Sequence, residues 1–168
     1  MKRLIAFVAV AAMTLMMLPG RMSAQNPQIS AEEQKALDSA DWYIPLSYGG
    51  FNFEIPAGSI VDKGSKITVK YPDGSFGMSM ENEEFRGGSQ KIAYEKARSY
   101  AKRYELKDAE VSKVTVGGVK GAKAVGQLEN HQVTVIILPV NEQQVTTVLM
   151  ATPNRTDWVN HFVQTMSR

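Results

Sequence analysis

Hydrophobic positions change their spacing several times along this chain, and each change marks an element. Leu4 to Leu18 is one apolar run without a charge, preceded by Lys2 and Arg3 and broken by Pro19-Gly20. Ser30-Ala-Glu-Glu33 then has the spacing of a capping box and predicts a short helix from about Ala31 to Ser39. Trp42, Tyr43, Ile44 and Leu46 form an apolar segment expected to dock onto the body of the protein. From Phe51 the period becomes two: Phe51, Phe53 and Ile55 alternate with Asn52 and Glu54 until Pro56-Ala-Gly58. Ile67, Val69 and Tyr71 repeat the pattern, Pro72-Asp-Gly74 turns the chain, and Phe76, Met78 and Met80 return.

A helical period follows. Ser89 is placed to cap a helix running to about Tyr104, with Ala93, Ala97, Tyr100, Ala101 and Tyr104 on one stripe. Val111, Val114 and Val116 lead into Gly117-Gly118, a tight hairpin turn, and residues 119–128 return to a second turn at Glu129-Asn130. The runs Val133–Val140 and Val145–Ala151 are apolar on both sides, which places them inside a sheet covered above and below. Thr156 is the expected cap of a last helix that buries Val159, Phe162, Val163 and Met166.

These elements predict an α+β fold: an antiparallel sheet of about seven strands with helices on both faces, an α-β-α sandwich. Hairpin connections leave no βαβ unit, which disfavours a doubly wound nucleotide-binding fold.

The first apolar run changes the meaning of the composition. At 15 residues it is shorter than the roughly 20 needed to span a bilayer, and with its basic start it reads as a secretory signal peptide cut after Ala24. The expected layout is a signal peptide over 1–24, an extension with a short helix over 25–42, and one α+β domain over 43–168. The chain has 19 basic and 17 acidic residues. Removing Lys2, Arg3 and Arg21 leaves 16 against 17, so no basic excess remains to attract nucleic acid. There is no cysteine, which excludes disulfides, thiolate metal sites and a cysteine nucleophile. The mature product is expected to be periplasmic or secreted, without a membrane span.

Candidate chemistry is sparse. His131 and His161 have no metal-ligand partner at useful spacing and read as ordinary boundary residues. Ser99-Tyr-Ala-Lys102 matches a serine-x-x-lysine pattern, but it falls late in a helix and off its buried stripe. No phosphate loop and no Gly-x-Ser-x-Gly elbow is present. Glu81, Glu83 and Glu84, followed by Phe85-Arg86-Gly87-Gly88, form the densest charged segment. It reads as a loop between strand and helix, with partner or calcium binding as the sharper alternative to plain solvation.

Phe51-x-Phe-x-Ile-Pro-x-Gly58 and Val-x-Val-Gly-Gly-x-x-Gly121, in this order of elements, resemble the PsbP-like superfamily over about residues 43–168. That group includes PsbP subunits of photosystem II, a Ran-binding import factor and bacterial envelope proteins of the DcrB kind. The resemblance implies an α-β-α sandwich that serves as an adaptor or accessory subunit without enzymatic activity, and it assigns no functional residue by position.

The expectation is therefore an exported, non-catalytic binding domain without cofactor or metal, contacting another envelope protein or a small ligand. Its candidate contact residues are Glu83, Glu84, Phe85 and Arg86. The rival is a hydrolase or metal-dependent enzyme whose carboxylates converge only in space, drawn from Glu54, Asp62, Asp73, Glu81 and Glu83.

Overall fold

The computed structural model describes residues 43–168 apart from Arg86 and Gly88. The expected signal peptide, its cleavage point and the helix over 31–39 lie outside the described residues. Nine strands and two helices follow in order: β1 (Tyr43–Tyr48), β2 (Phe51–Pro56), β3 (Ile60–Lys63), β4 (Lys66–Lys70), β5 (Gly77–Glu84), α1 (Gln90–Arg103), β6 (Lys107–Val116), β7 (Val119–Leu128), β8 (His131–Asn141), β9 (Gln144–Thr152) and α2 (Thr156–Thr165). Every pairing is antiparallel. Seven strands form one sheet in the order β3-β4-β5-β9-β8-β7-β6, and β1 and β2 form a separate ribbon.

The architecture agrees with the expected α+β sandwich, but the seven strands are not quite the expected seven. Phe51–Pro56 leaves the main sheet and pairs with Tyr43–Tyr48, so the docking segment is itself a strand. Its place in the sheet is taken by β3, whose Ile60 is 64% exposed and whose alternation is therefore hidden in the sequence.

The doubly apolar strands lie where their composition demands. From Val133 to Leu138, β8 is buried at every position, and β9 pairs with it along nearly its whole length. Because side chains alternate across a strand, Ile136 and Leu138 enter one core while Val135 and Ile137 enter the other. The first core holds the β1–β2 ribbon and α2: Phe51, Phe53 and Ile55 meet Trp158, Val159 and Phe162 over Met78, Met80 and Met150. Phe53 and Phe162 pack with ring centroids 4.9 Å apart. The second core holds α1, which lays Ala93, Ala97 and Ala101 onto Ala122, Ala124, Val133 and Val135.

Glycine governs one close approach. A Cβ on Gly121 would stand 2.1 Å from the carbonyl oxygen of Ile137, so only glycine lets β7 pass β8 there. Ser89 caps α1 as expected, its hydroxyl accepting from the amide of Ile92 at 3.4 Å. Thr156 does not cap α2. The cap residue is Arg155, and its amide donates instead to the hydroxyl of Thr152 at 2.7 Å. Thr152 is buried at the end of β9, so the strand before the helix supplies the acceptor that the helix's own threonine was expected to give.

Candidate functional site

The acidic segment is a strand end rather than a loop. Glu81 to Glu84 belong to β5 and pair with Thr147 to Gln144 of β9. Met78 and Met80 face the aromatic core, so Glu81 and Glu83 face the side of α1. Pairing continues beyond the strand: the amide of Phe85 donates to Gln143 and that of Gly87 to Glu142, each at 2.8 Å. The backbone at the head of the segment is thereby tied to the β8–β9 turn.

Glu83 is the fixed point of this end. Its carboxylate pairs with the ammonium of Lys96 from α1. It also accepts from the hydroxyls of Thr147 at 3.1 Å and Tyr100 at 3.3 Å. Partial burial pushes the Glu83 carboxyl up, but these three donors outweigh it and hold the group below the ordinary glutamate range. Burial, followed by the charge of Glu83, raises the Tyr100 hydroxyl. Lys96 lies 5.4 Å from the Phe85 ring centroid and 5.9 Å from that of Tyr100, so two aromatic faces flank its charge.

An open cavity of about 1040 Å³ lies over this arrangement, walled by β5 on one side and the β8–β9 turn on the other. Of the sequence-predicted residues, Glu83, Glu84 and Phe85 line it, and Arg86 lies outside the described residues. Gln143, Gln144 and Glu142 complete the wall. These were not foreseen, since nothing in the order of residues places a hairpin 60 positions away beside Glu83. Chemically the cavity offers carboxylates and amides around one half-buried aromatic ring. That set suits hydrogen-bond donors and cations.

The carboxylates of the rival reading do not gather. Asp73 sits in the β4–β5 turn, where the Ser75 hydroxyl and amide hold its carboxyl below the usual carboxylate range; the Ser75 amide donates to Oδ1 at 2.8 Å. Glu54 on β2 instead meets His161 on α2, with Oε2 and Nε2 2.7 Å apart. The Tyr43 ring stacks on His161 at 3.5 Å between centroids. The nearby hydroxyl of Thr165 donates to the carbonyl of His161 at 3.0 Å and accepts from the Glu54 amide at 3.2 Å, so it is spent on backbone. Among the described residues no three histidine, aspartate or glutamate side chains are grouped to hold a metal ion, and no helix is long and apolar enough to cross a membrane.

The fold class so defined, a seven-stranded antiparallel sheet with a helix on each face, recurs in solved structures of low sequence identity. LpqN, involved in cell envelope biogenesis of Mycobacterium tuberculosis, superposes with a TM-score of 0.52 at 13% identity, covering 84% of this chain and 98% of LpqN. A Bacteroides thetaiotaomicron protein known at 1.50 Å superposes with a TM-score of 0.50 at 14% identity, covering 73% of this chain. This chain spans about half, 47%, of that protein. Both likenesses are of fold. No protein-family model and no curated protein sequence matches the chain.

Proposed function

We propose that this chain is an exported, non-catalytic binding module of the cell envelope, and that it holds an envelope protein or small polar ligand at the Glu83–Phe85 end of its sheet. One observation carries this reading. Glu83 is fixed by three side chains from α1 and β9, while Glu84 stands beside it at the cavity with no ion pair among the described residues and Phe85 lines the same wall. A rigid anchor beside unspent polar groups is what a recognition surface requires, because little side-chain entropy remains to be lost on binding. The sandwich fold, its likeness to an envelope-biogenesis protein and the PsbP-like order of elements support an accessory role. The domain supplies a surface to a larger assembly and turns over no substrate.

The test is capture from a native envelope extract by crosslinking, comparing the wild type with Glu84→Lys and with Glu83→Lys/Glu84→Lys. Charge reversal is expected to reduce specific capture by about tenfold, equivalent to about 1.4 kcal/mol. Equal capture by all three proteins, each shown to be folded, rejects this end as the contact surface.

The Glu54–His161 contact is the one feature that favours the rival hydrolase, since a carboxylate orienting an imidazole is half of a nucleophile-activating relay. The other half would be a hydroxyl aimed at the ring, and the hydroxyl of Thr165 is turned to backbone. The pair serves better as a clamp between β2 and α2.

A further inference from the structure

On the flank of α1 turned away from Glu83, the helix and the edge strand β6 diverge around a groove of about 530 Å³. Its floor is apolar: Leu106 is buried and Val111 half-buried, and the Tyr94 ring closes one end with its hydroxyl donating to the Val111 carbonyl at 3.1 Å. Its rim carries three cations against one acid, Glu105, and so keeps a positive excess. Arg98 and Lys102 stand one helical turn apart on α1, and Lys107 faces them from the strand side. Among the described residues none of these three cations has a carboxylate at ion-pair distance. The Arg98 guanidinium lies 5.4 Å from the Tyr94 ring centroid, so an aromatic face already orients it.

The wall between helix and strand is built at a conformational cost. Glu105 and Asp108 both hold left-handed backbone, with φ of 51° and 50°, where a side chain other than glycine is disfavoured. Gly126 on β7 lies directly beneath; a Cβ there would stand 2.8 Å from the Leu106 Cβ and 3.0 Å from the Lys107 carbonyl. The connection is thus pressed onto the sheet.

We infer that this groove binds a small amphiphilic anion. A carboxylate or phosphate headgroup sits among Arg98, Lys102 and Lys107, and a short apolar body lies along Tyr94, Leu106 and Val111. Guanidinium forks match either headgroup, and the volume falls within the roughly 300–1,000 Å³ of small-molecule sites. A flat anionic bilayer fits less well. The site is concave, and Asp108 and Glu110 beside it on β6 would repel an extended negative surface. The inference is independent of the Glu83 end and stands or falls without it.

Octyl phosphate, kept below its micelle concentration, would be titrated into the ¹⁵N-labelled protein. Saturable shifts are expected in amides between residues 94 and 111. Octyl glucoside and inorganic phosphate, each offering half of the recognised chemistry, should bind at least about tenfold more weakly. Arg98→Glu/Lys102→Glu should lose about tenfold in affinity, and Arg98→Gln gives the same direction if the double variant is poorly folded. Equal binding of octyl glucoside, indifference to both charge variants, or attachment to phosphatidylglycerol vesicles without a response to octyl phosphate would each overturn the assignment.

Discussion

The two faces of the central sheet are packed by opposite means. One face is deep: Phe51, Phe53, Trp158, Phe162 and four methionines, Met78, Met80, Met150 and Met166, fill a layer thick enough for both the β1–β2 ribbon and α2. The other is shallow: Ala93, Ala97 and Ala101 meet Ala122 and Ala124, and one helix lies close to the strands. Large side chains hold a broad cover at a distance, whereas alanines allow close contact over a narrow strip. The narrow strip has a functional side effect. It leaves sheet uncovered on the β6 flank of α1, where the groove between Tyr94 and Val111 opens; the cavity at Glu83 lies instead at the end of the sheet, against the β8–β9 turn.

Three substitutions sharpen this contrast, taken from the largest effect downward. Phe162→Ala removes a ring that is 1% exposed in the deep layer and should lower unfolding free energy by about 3–5 kcal/mol in a denaturant titration. A loss near 1 kcal/mol would show that the deep layer collapses around the gap and is less rigid than its packing implies. Ala97→Leu tests the shallow face from the other direction. Added bulk between α1 and the sheet should destabilise by about 1–3 kcal/mol, measured the same way. A neutral result would mean that α1 can lift freely.

The smallest effect is Glu83→Gln, which leaves Lys96 without its counter-charge. The carboxylate is one-third exposed, so about 1 kcal/mol at neutral pH is expected after allowing for screening. Its pH dependence has a definite sign. Because the folded carboxyl sits below the ordinary value of 4.5, its contribution is complete above that value and is lost as pH falls through the lower folded one. Melting temperature followed from pH 6 down to 3 should therefore fall less steeply in Glu83→Gln than in the wild type. Parallel curves would deny Glu83 its electrostatic role.

Much of this fold was legible from the order of residues, for reasons that differ by element. β8 and β9 could be read because burial on both faces leaves only Thr134 as a polar residue in Val133–Val140, and only Thr146 and Thr147 in Val145–Ala151. The Pro72–Gly74 hairpin could be read because turn chemistry is local; Gly74 holds φ of 78°. β1 and β3 were harder. Ile44, Pro45 and Ile60 point to solvent, so their hydrophobicity does not report the inward face. Periodicity also names a strand without naming its neighbour, which is why Phe51–Pro56 could be recognised as β yet placed in the wrong sheet.

The candidate site was legible in part. Glu83, Glu84 and Phe85 stood out by charge density, but that same density suggested a loop. Part of the corrective signal was present: Met78 and Met80 alternate with Ser79 and Glu81, but the alternation ends there because Asn82, Glu83 and Glu84 are all polar. Contacts across long separations gave no such signal. Glu83 with Thr147 and Glu54 with His161 are 64 and 107 residues apart, and only the folded chain brings them together.

The two hydrogen bonds that the amides of Phe85 and Gly87 donate to the β8–β9 turn make the acidic end an extension of the sheet's own ladder. Force applied there by a bound molecule would run along hydrogen bonds into the two most deeply enclosed strands, with no slack hinge between. Such an anchorage would resist being peeled away by whatever is held there.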